Sequence, residues 1–178
     1  MKFPMGRPKA DVIESNINSN WGLLEKPTTV AVLDFKHMMV MMKSEKDVTK
    51  ALIRESRQIK GFFFKLFRWS IHFDPLKESP ITPVWIQFLG LKLCFQNNGI
   101  LKQLAGLMGK YLDTDSATLN LSRPSTARVC IEVDLSTDLL QKLYLSNKKC
   151  CMKICLGFVH TAAFRGIATP IALGCNLL

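Results

Sequence analysis

Gly61-Phe62-Phe63-Phe64-Lys65-Leu66-Phe67-Arg68-Trp69 is an aromatic run with cations set among the rings. Its β-favouring content suits a strand buried on at least one face, and Phe62 to Trp69 reads as that strand. Alternation leaves two core sets open, Phe62, Phe64 and Leu66 or Phe63, Lys65 and Phe67. Before it, Ser44-Glu45-Lys46-Asp47 offers an N-cap with an acid three residues later. Val48, Leu52 and Ile59 add an apolar side, which predicts a helix from Glu45 to about Gln58. Further back, Thr29 to Leu33 and His37 to Met42 flank Asp34-Phe35-Lys36 and read as a hairpin. Ile13, Ile17 and Trp21 recur at four-residue spacing, so Ala10 to Asn20 reads as an amphipathic helix that Gly22 ends.

The resulting order, α-β-β-α-β, is that of an RNA-recognition motif without its first strand. Such a loss exposes ladder groups inside the sheet unless another segment replaces it. Downstream, residues 75–83 are rich in Pro and charge and read as a linker. Val84 to Phe88 then reads as a strand, Ile100 to Met108 as a helix capped by Asn97-Asn98-Gly99, and Tyr111 to Thr114 as a short strand. Ser116 to Thr126 reads as a polar loop, and Arg128 to Leu135 alternates as a partly buried strand. The expectation is therefore an α+β chain: a recognition-motif-like unit over 1–74, a linker over 75–83, a second βαβ-like unit over 84–145, and an irregular tail over 146–178.

Bulk composition bounds the function. The chain has 178 residues, 48% of them hydrophobic, enough for one substantial core or two small ones. Twenty-four Lys and Arg against fourteen Asp and Glu leave a net charge of +10, which favours a polyanionic partner. No window approaches the roughly 18 uncharged apolar residues of a spanning helix, so no membrane partner is expected. Six Cys without a secretory leader read as reduced thiols of an intracellular protein.

Beyond the aromatic run, Phe67-Arg68-Trp69-Ser70-Ile71-His72-Phe73-Asp74-Pro75 leads to Glu78-Ser79-Pro80-Ile81 and Pro83-Val84-Trp85-Ile86. Arg123-Pro124, Ala127-Arg128-Val129-Cys130 and Glu132-Val133-Asp134-Leu135 follow. From Lys2 to about Leu145 this combination resembles a plant family, the domain of unknown function 4283 of retrotransposon-derived proteins. The resemblance implies a recognition-motif-like fold with a strand just before the position of Lys2-Phe3. It also implies a nucleic-acid-binding role and a following zinc knuckle of Cys-x2-Cys-x4-His-x4-Cys spacing. The chain departs from the family at its start, at Lys92 where members often carry Pro, and throughout the tail.

In the tail as translated, Cys151-x3-Cys155-x4-His160 and the distant Cys175 do not match knuckle spacing, so no zinc or other cofactor is expected. The codon that straddles Met152 and Lys153 must give Glu, and the one that straddles Cys151 and Met152 accommodates Tyr, both at the family's offsets. Those straddling Phe158 and Val159, Thr161 and Ala162, Gly166 and Ile167, and Ile171 and Ala172 accommodate Cys, Cys, His and Cys. Residues 149–178 thus read as a frame-shifted knuckle, and zinc is expected only were it in frame.

Arg54, Arg57, Lys60, Lys65 and Arg68 lie beside the rings of the aromatic run and are candidate phosphate contacts. Arg123 and Arg128, shared with the family, are candidates too, with pairing to Asp113, Asp115, Glu132 or Asp134 as the alternative. Lys60-Gly61-Phe62-Phe63-Phe64-Lys65-Leu66-Phe67 overlaps a recognition-motif signature but follows the second helix instead of preceding it. Trp69 and Trp85 are expected to join the two units. Catalysis has little support: His72-Phe73-Asp74 lacks a nucleophile, Asp113-Thr114-Asp115 reads as a solvated loop, and no Gly-rich phosphate loop is present. The expected role is non-enzymatic binding of RNA or single-stranded DNA. A protein-interaction module with an exposed sheet edge, or a fragment without function, are the other classes. Sequencing the coding DNA is expected to show, in the shifted frame, third bases that yield all four knuckle ligands; one incompatible base removes that reading.

Overall fold

The computed structural model describes residues 1–26, 28–77, 79–138, 142–145 and 150–156, the last two stretches as backbone alone. The fold is mixed α+β with antiparallel sheets and, among the described residues, four helices. Helix α1 (Ala10–Asn20) buries Ile13 and Ile17, as their spacing predicts. Strands β1 (Thr29–Val32) and β2 (Met38–Met41) form the expected hairpin, in a register that pairs Thr29 with Met41. Asp34 closes its turn by accepting the Lys36 and His37 backbone N–H groups.

Helix α2 (Glu45–Ile53) starts where the capping pattern places it, with Ser44 Oγ accepting the Lys46 N–H. It stops earlier than periodicity predicts. Arg54 leaves the helix with ψ 131, and the Arg57 guanidinium caps the freed carbonyls of Ala51 and Leu52. The chain then makes a small hairpin, β3 (Gln58–Ile59) with β4 (Phe62–Phe63), around Lys60 and Gly61. Both turn residues have positive φ, 50 and 87, the geometry of a two-residue hairpin turn. That turn corrects two expectations. The strand anticipated over Phe62 to Trp69 is regular only at Phe62–Phe63, and the signature-like run beginning at Lys60-Gly61 is a tight turn. Past it, Phe64 is buried and Leu66 half-buried, which selects the even-numbered set, although Phe62 itself is exposed.

The second sheet holds β6 (Lys110–Thr114), β7 (Thr126–Asp134), β5 (Ile81–Leu89), β9 (Cys150–Leu156) and β8 (Lys142–Leu145), side by side in that order, with every adjacent pair antiparallel. Because β7 is antiparallel to both, β5 and β6 run parallel and flank it. Helix α3 (Asn98–Gly106), capped by Asn97 Oδ1 on the Ile100 N–H, completes a split βαβ unit. Gly109 permits the close return: a Cβ there would lie 2.2 Å from the Glu132 carbonyl oxygen. The anticipated polar loop after β6 contains the one-turn helix α4 (Ser116–Leu119).

Two boundaries move. Strand β5 begins at Ile81, so Pro83 is a buried strand residue opposite Glu132 and not linker; β9 reaches only Ile86–Leu89, which leaves Pro83 on an unpaired edge where its missing N–H costs nothing. The tail expected to be irregular from 146 onward supplies strand β9, whose register pairs Ile86 with Leu156.

Alternation on β5 and β7 builds two cores back to back. Val84, Ile86, Phe88, Val129, Ile131 and Val133 face α3, against Leu101, Leu104 and Ala105. On the opposite face Trp85, Leu112 and Cys130 meet Val48, Leu52 and Ile53 of α2. The remaining core lies in the N-terminal part, where Phe3, Ile13, Ile17, Trp21, Ile59 and Phe64 pack together. Helix α2 is thus clasped between two layers, with Ala51 toward the N-terminal core and Leu52 toward the large sheet.

The segment Met1 to Phe3 is a short extended piece laid between β2 and the chain around Lys65. Met38 N–H donates to Met1 O at 2.9 Å, Phe3 N–H to Lys36 O at 2.8 Å, and Lys2 and Lys65 exchange both backbone bonds at 2.9 and 2.8 Å. The Met1 ammonium donates to Met38 O, and burial lowers its pKa to about 6. Between pH 6 and 8 the unfolded amine therefore holds a proton that the folded amine has released, and stability rises with pH across that window. A shift of this size corresponds to about 3 kcal/mol. Urea unfolding is expected to show that gain from pH 6 to pH 8, and Nα-acetylation to flatten it.

Candidate nucleic-acid interface

Of the seven cations anticipated as phosphate contacts, four arginines are engaged by groups of the protein itself. Arg68 spreads its guanidinium over two acids: Nε lies 2.8 Å from Glu132 Oε2 and Nη2 2.8 Å from Glu45 Oε1. Glu132 has a side chain only 4% exposed, so this pair crosses from the segment after β4 to the inner face of the large sheet. Arg128 meets Glu55 at 2.7 Å and lies over the Trp85 ring at 4.5 Å. Its partner is none of the four acids weighed from sequence. Arg57 caps the end of α2, and burial pulls its pKa down to about 10, still charged at neutral pH. Arg54 donates to Asn20 O at 3.0 Å and sits 5.2 Å from the Trp21 ring. Lys65 is half-buried beside Lys2, whereas Lys60 and Arg123 are exposed.

What the fold gathers instead is a stripe on α2. Lys46, Lys50 and Arg54 follow one another at four-residue spacing and so share one side of the helix. Lys50 Nζ donates to Gly22 O and Arg54 to Asn20 O, which lays the stripe along the C-terminal end of α1. At its N-terminal end Lys43 precedes the helix, and the Leu24 and Glu25 N–H groups are held by buried Asp47 at 2.8 and 3.0 Å. At the other end Lys60 shares a polar notch with Asn16, Ser19 and Asn20. Lys26, Lys43, Lys46, Lys50 and Lys60 are all exposed. Acids near them include Glu25, exposed, and Asp11, which shares the notch.

The hairpin tip adds rings to the charge. Phe62 and Phe63 are 38% and 53% exposed, directly after Lys60 and Gly61, although sequence favoured a core role for most of these rings. Of the sequence candidates, Arg54 and Lys60 lie at this basic surface; Lys26, Lys43, Lys46 and Lys50 were not among them. Four-residue spacing on α2 was the legible signal for Lys46 and Lys50.

Trp85 joins the two layers as expected, donating Nε1–H to Ile53 O at 3.3 Å, whereas Trp69 is 56% exposed. The His72 and Asp74 pair forms no catalytic arrangement: His72 is exposed and Asp74 caps its own turn by accepting the Leu76 N–H. A closer pair, His37 Nδ1 with Asp34 Oδ2 at 2.7 Å, belongs to the β1–β2 turn. Cys130 is buried and its thiol pKa is pushed up to about 12, chiefly by burial, so it is no nucleophile at neutral pH. Among the described residues no cluster of His, Cys, Asp or Glu is arranged for a metal, and no helix is long and apolar enough to cross a membrane. The Cys151, Cys155, His160 and Cys175 side chains, and the shifted-frame knuckle positions, lie outside the described residues.

Comparison with protein-family models, with curated proteins and with solved structures finds no match to this chain.

Breaking the Arg68 pair leaves Glu132 buried without a countercharge, which costs about 3 kcal/mol or more. Chemical denaturation of Arg68→Ala is expected to show that loss. Lys46→Ala, which removes an exposed charge, is expected to stay within about 0.5 kcal/mol of the parent.

Proposed function

We propose that this chain is a non-enzymatic binding protein that holds RNA or single-stranded DNA by phosphate contacts along the α2 stripe, consistent with its resemblance to the domain of unknown function 4283 family. The observation that carries the reading is a row of exposed lysines, Lys43, Lys46 and Lys50, that ends at a hairpin tip bearing exposed Lys60, Phe62 and Phe63. Lysine and arginine contact phosphate without reading sequence, and an exposed ring stacks on any base, so the expected binding is weak and tolerant of sequence. The arginines that brace the core take no part in it.

Strand order supports a recognition-motif-like N-terminal unit. The chain around Lys65, then Met1–Phe3, then β2, then β1 lie in sequence across one surface, with α1 and α2 following the first and third pieces in the chain. That matches the spatial order of the motif, with Met1–Phe3 in the position of its first, central strand. The proposed contacts lie on helices and a hairpin tip, not on the sheet surface that such motifs commonly use. Recognition by charge and stacking, without base-edge reading, follows from that placement.

Four phosphate contacts to a single strand predict a logarithmic salt slope of about −3, or roughly a 50-fold loss of affinity from 50 to 200 mM salt. Fluorescence anisotropy with a single-stranded oligoribonucleotide is expected to show this. The combined Lys43→Gln, Lys46→Gln and Lys60→Gln variant is expected to flatten the slope by about 2. Absence of binding at 50 mM salt, or binding indifferent to salt, overturns the reading.

A further inference from the structure

The segment between the chain around Arg68 and the large sheet presents a hydroxyl to solvent. Pro75, Leu76, Lys77, Ser79 and Pro80 are exposed, and the chain enters β5 only at Ile81. Ser79 stands directly before Pro80. A proline lacks the backbone donor that would tie such a stretch to a neighbour, and it favours an extended backbone at the residue before it. The bond from Ser79 Oγ to the Ile81 carbonyl, 3.3 Å, is long for an O–H donor, so the hydroxyl is weakly held. The backbone beside it is anchored, because the Leu135 N–H donates to Pro80 O at 3.0 Å.

Ser79 also lines a small cavity together with Lys2, Lys65, Lys77 and His37. Three lysines from three separate pieces of chain, the Met1–Phe3 segment, the stretch after β4 and the joining segment, thus converge near one hydroxyl. The nearest acids to name are Asp74, in a loose ion pair with Lys77 at 4.0 Å, and Asp34, held by His37 at 2.7 Å. Glu78 adds a carboxylate directly before Ser79 in the sequence. The cavity measures about 40 Å³, close to the roughly 30 Å³ share of one water molecule. It admits no nucleotide or peptide, whereas a small anion that Ser79 itself carries needs no entry path.

We propose that Ser79 is a phosphorylation site for a proline-directed protein kinase and that its phosphate seats against Lys2, Lys65 and Lys77. In the transfer, Ser79 Oγ attacks the γ-phosphorus of a nucleoside triphosphate. The new O–P bond forms as the bond to the β,γ-bridging oxygen breaks, the hydroxyl proton passes to a base of the kinase, and the nucleoside diphosphate leaves. Phosphoserine brings a charge of about −1.5 to −2 and three strong acceptor oxygens, which suit a group of ammonium donors. Thr82-Pro83 offers the same dipeptide pattern, but Thr82 is half-buried in β5 and paired with Val133, so a kinase reaches it only by opening the sheet. Thr169-Pro170 lies outside the described residues. Seated in this way, the phosphate fastens the joining segment to the N-terminal layer, a tie that a kinase adds and a phosphatase removes. The site goes beyond the phosphate-binding reading and uses none of the lysines of the α2 stripe.

The test incubates the 178-residue chain with a recombinant proline-directed serine/threonine kinase and ATP, locates the modified residue by mass spectrometry, and titrates the phosphate by phosphorus NMR. Ser79 is expected to take up phosphate and Thr82 none. The second ionisation of the phosphate is expected about 0.5 pH lower than in the peptide acetyl-Pro-Leu-Lys-Glu-phosphoSer-Pro-Ile-Thr-amide, which carries Lys77 and Glu78 but neither Lys2 nor Lys65. Lys65→Gln is expected to move it back toward the peptide value, and Lys46→Gln and Lys60→Gln to leave it unchanged. Failure of Ser79 to accept phosphate, modification confined to Thr82 or Thr169, or an ionisation equal to that of the peptide overturns the proposal. Neither readout involves oligoribonucleotide binding, so failure here and failure of the phosphate-stripe reading are told apart.

Discussion

One guanidinium holds the two halves of this protein in register. Arg68 reaches from the chain after β4 to Glu132 on the inner face of the large sheet and, with its other nitrogens, to Glu45 at the start of α2. Those three points belong to the chain that follows β4, to the sheet, and to the helix clasped between them. The apolar contacts of Leu52, Leu112 and Cys130 supply attraction between α2 and the sheet, but such contacts are non-directional. The Arg68 fork is directional, and with Arg128 on Glu55 it fixes how the helix lies across β7 and β5. Basicity in this chain is thus partly a structural material.

That dual use explains what could and could not be read from sequence. Local signals were sound where the cause is local. The Ile13, Ile17 and Trp21 spacing places α1, the Ser44 cap starts α2, and Asn97 starts α3. Failures came where a distant partner decides. Periodicity carries α2 on to Gln58, but Arg57 turns back to cap its carbonyls and the Lys60-Gly61 turn redirects the chain. A Pro-rich stretch reads as linker, yet pairing with β7 recruits Pro83 into β5. Cysteines of an anticipated loose tail become a strand because β5 has an edge to fill.

The candidate site was half legible for the same reason. An arginine beside aromatic residues looks alike in sequence whether it grips phosphate or braces a core. Glu132 stands 64 residues from Arg68, and no local pattern announces the pair. Lysine is the better guide here. Its strongly hydrated ammonium stays at the surface, so Lys46, Lys50 and Lys60 remain exposed where Arg57, Arg68 and Arg128 do not.

The strand order of the large sheet sets a timetable for the growing chain. Strand β5 is central, yet its neighbours arrive late: β7 some 40 residues after it and β9 later still. While the ribosome extends the chain, the Ile81–Leu89 segment is an apolar ribbon with both edges open, and it stays half unpaired until Cys150–Leu156 emerges. Contacts this far apart in sequence form slowly, and the waiting strand is the part of the nascent protein most exposed to chaperones and to pairing with the wrong chain.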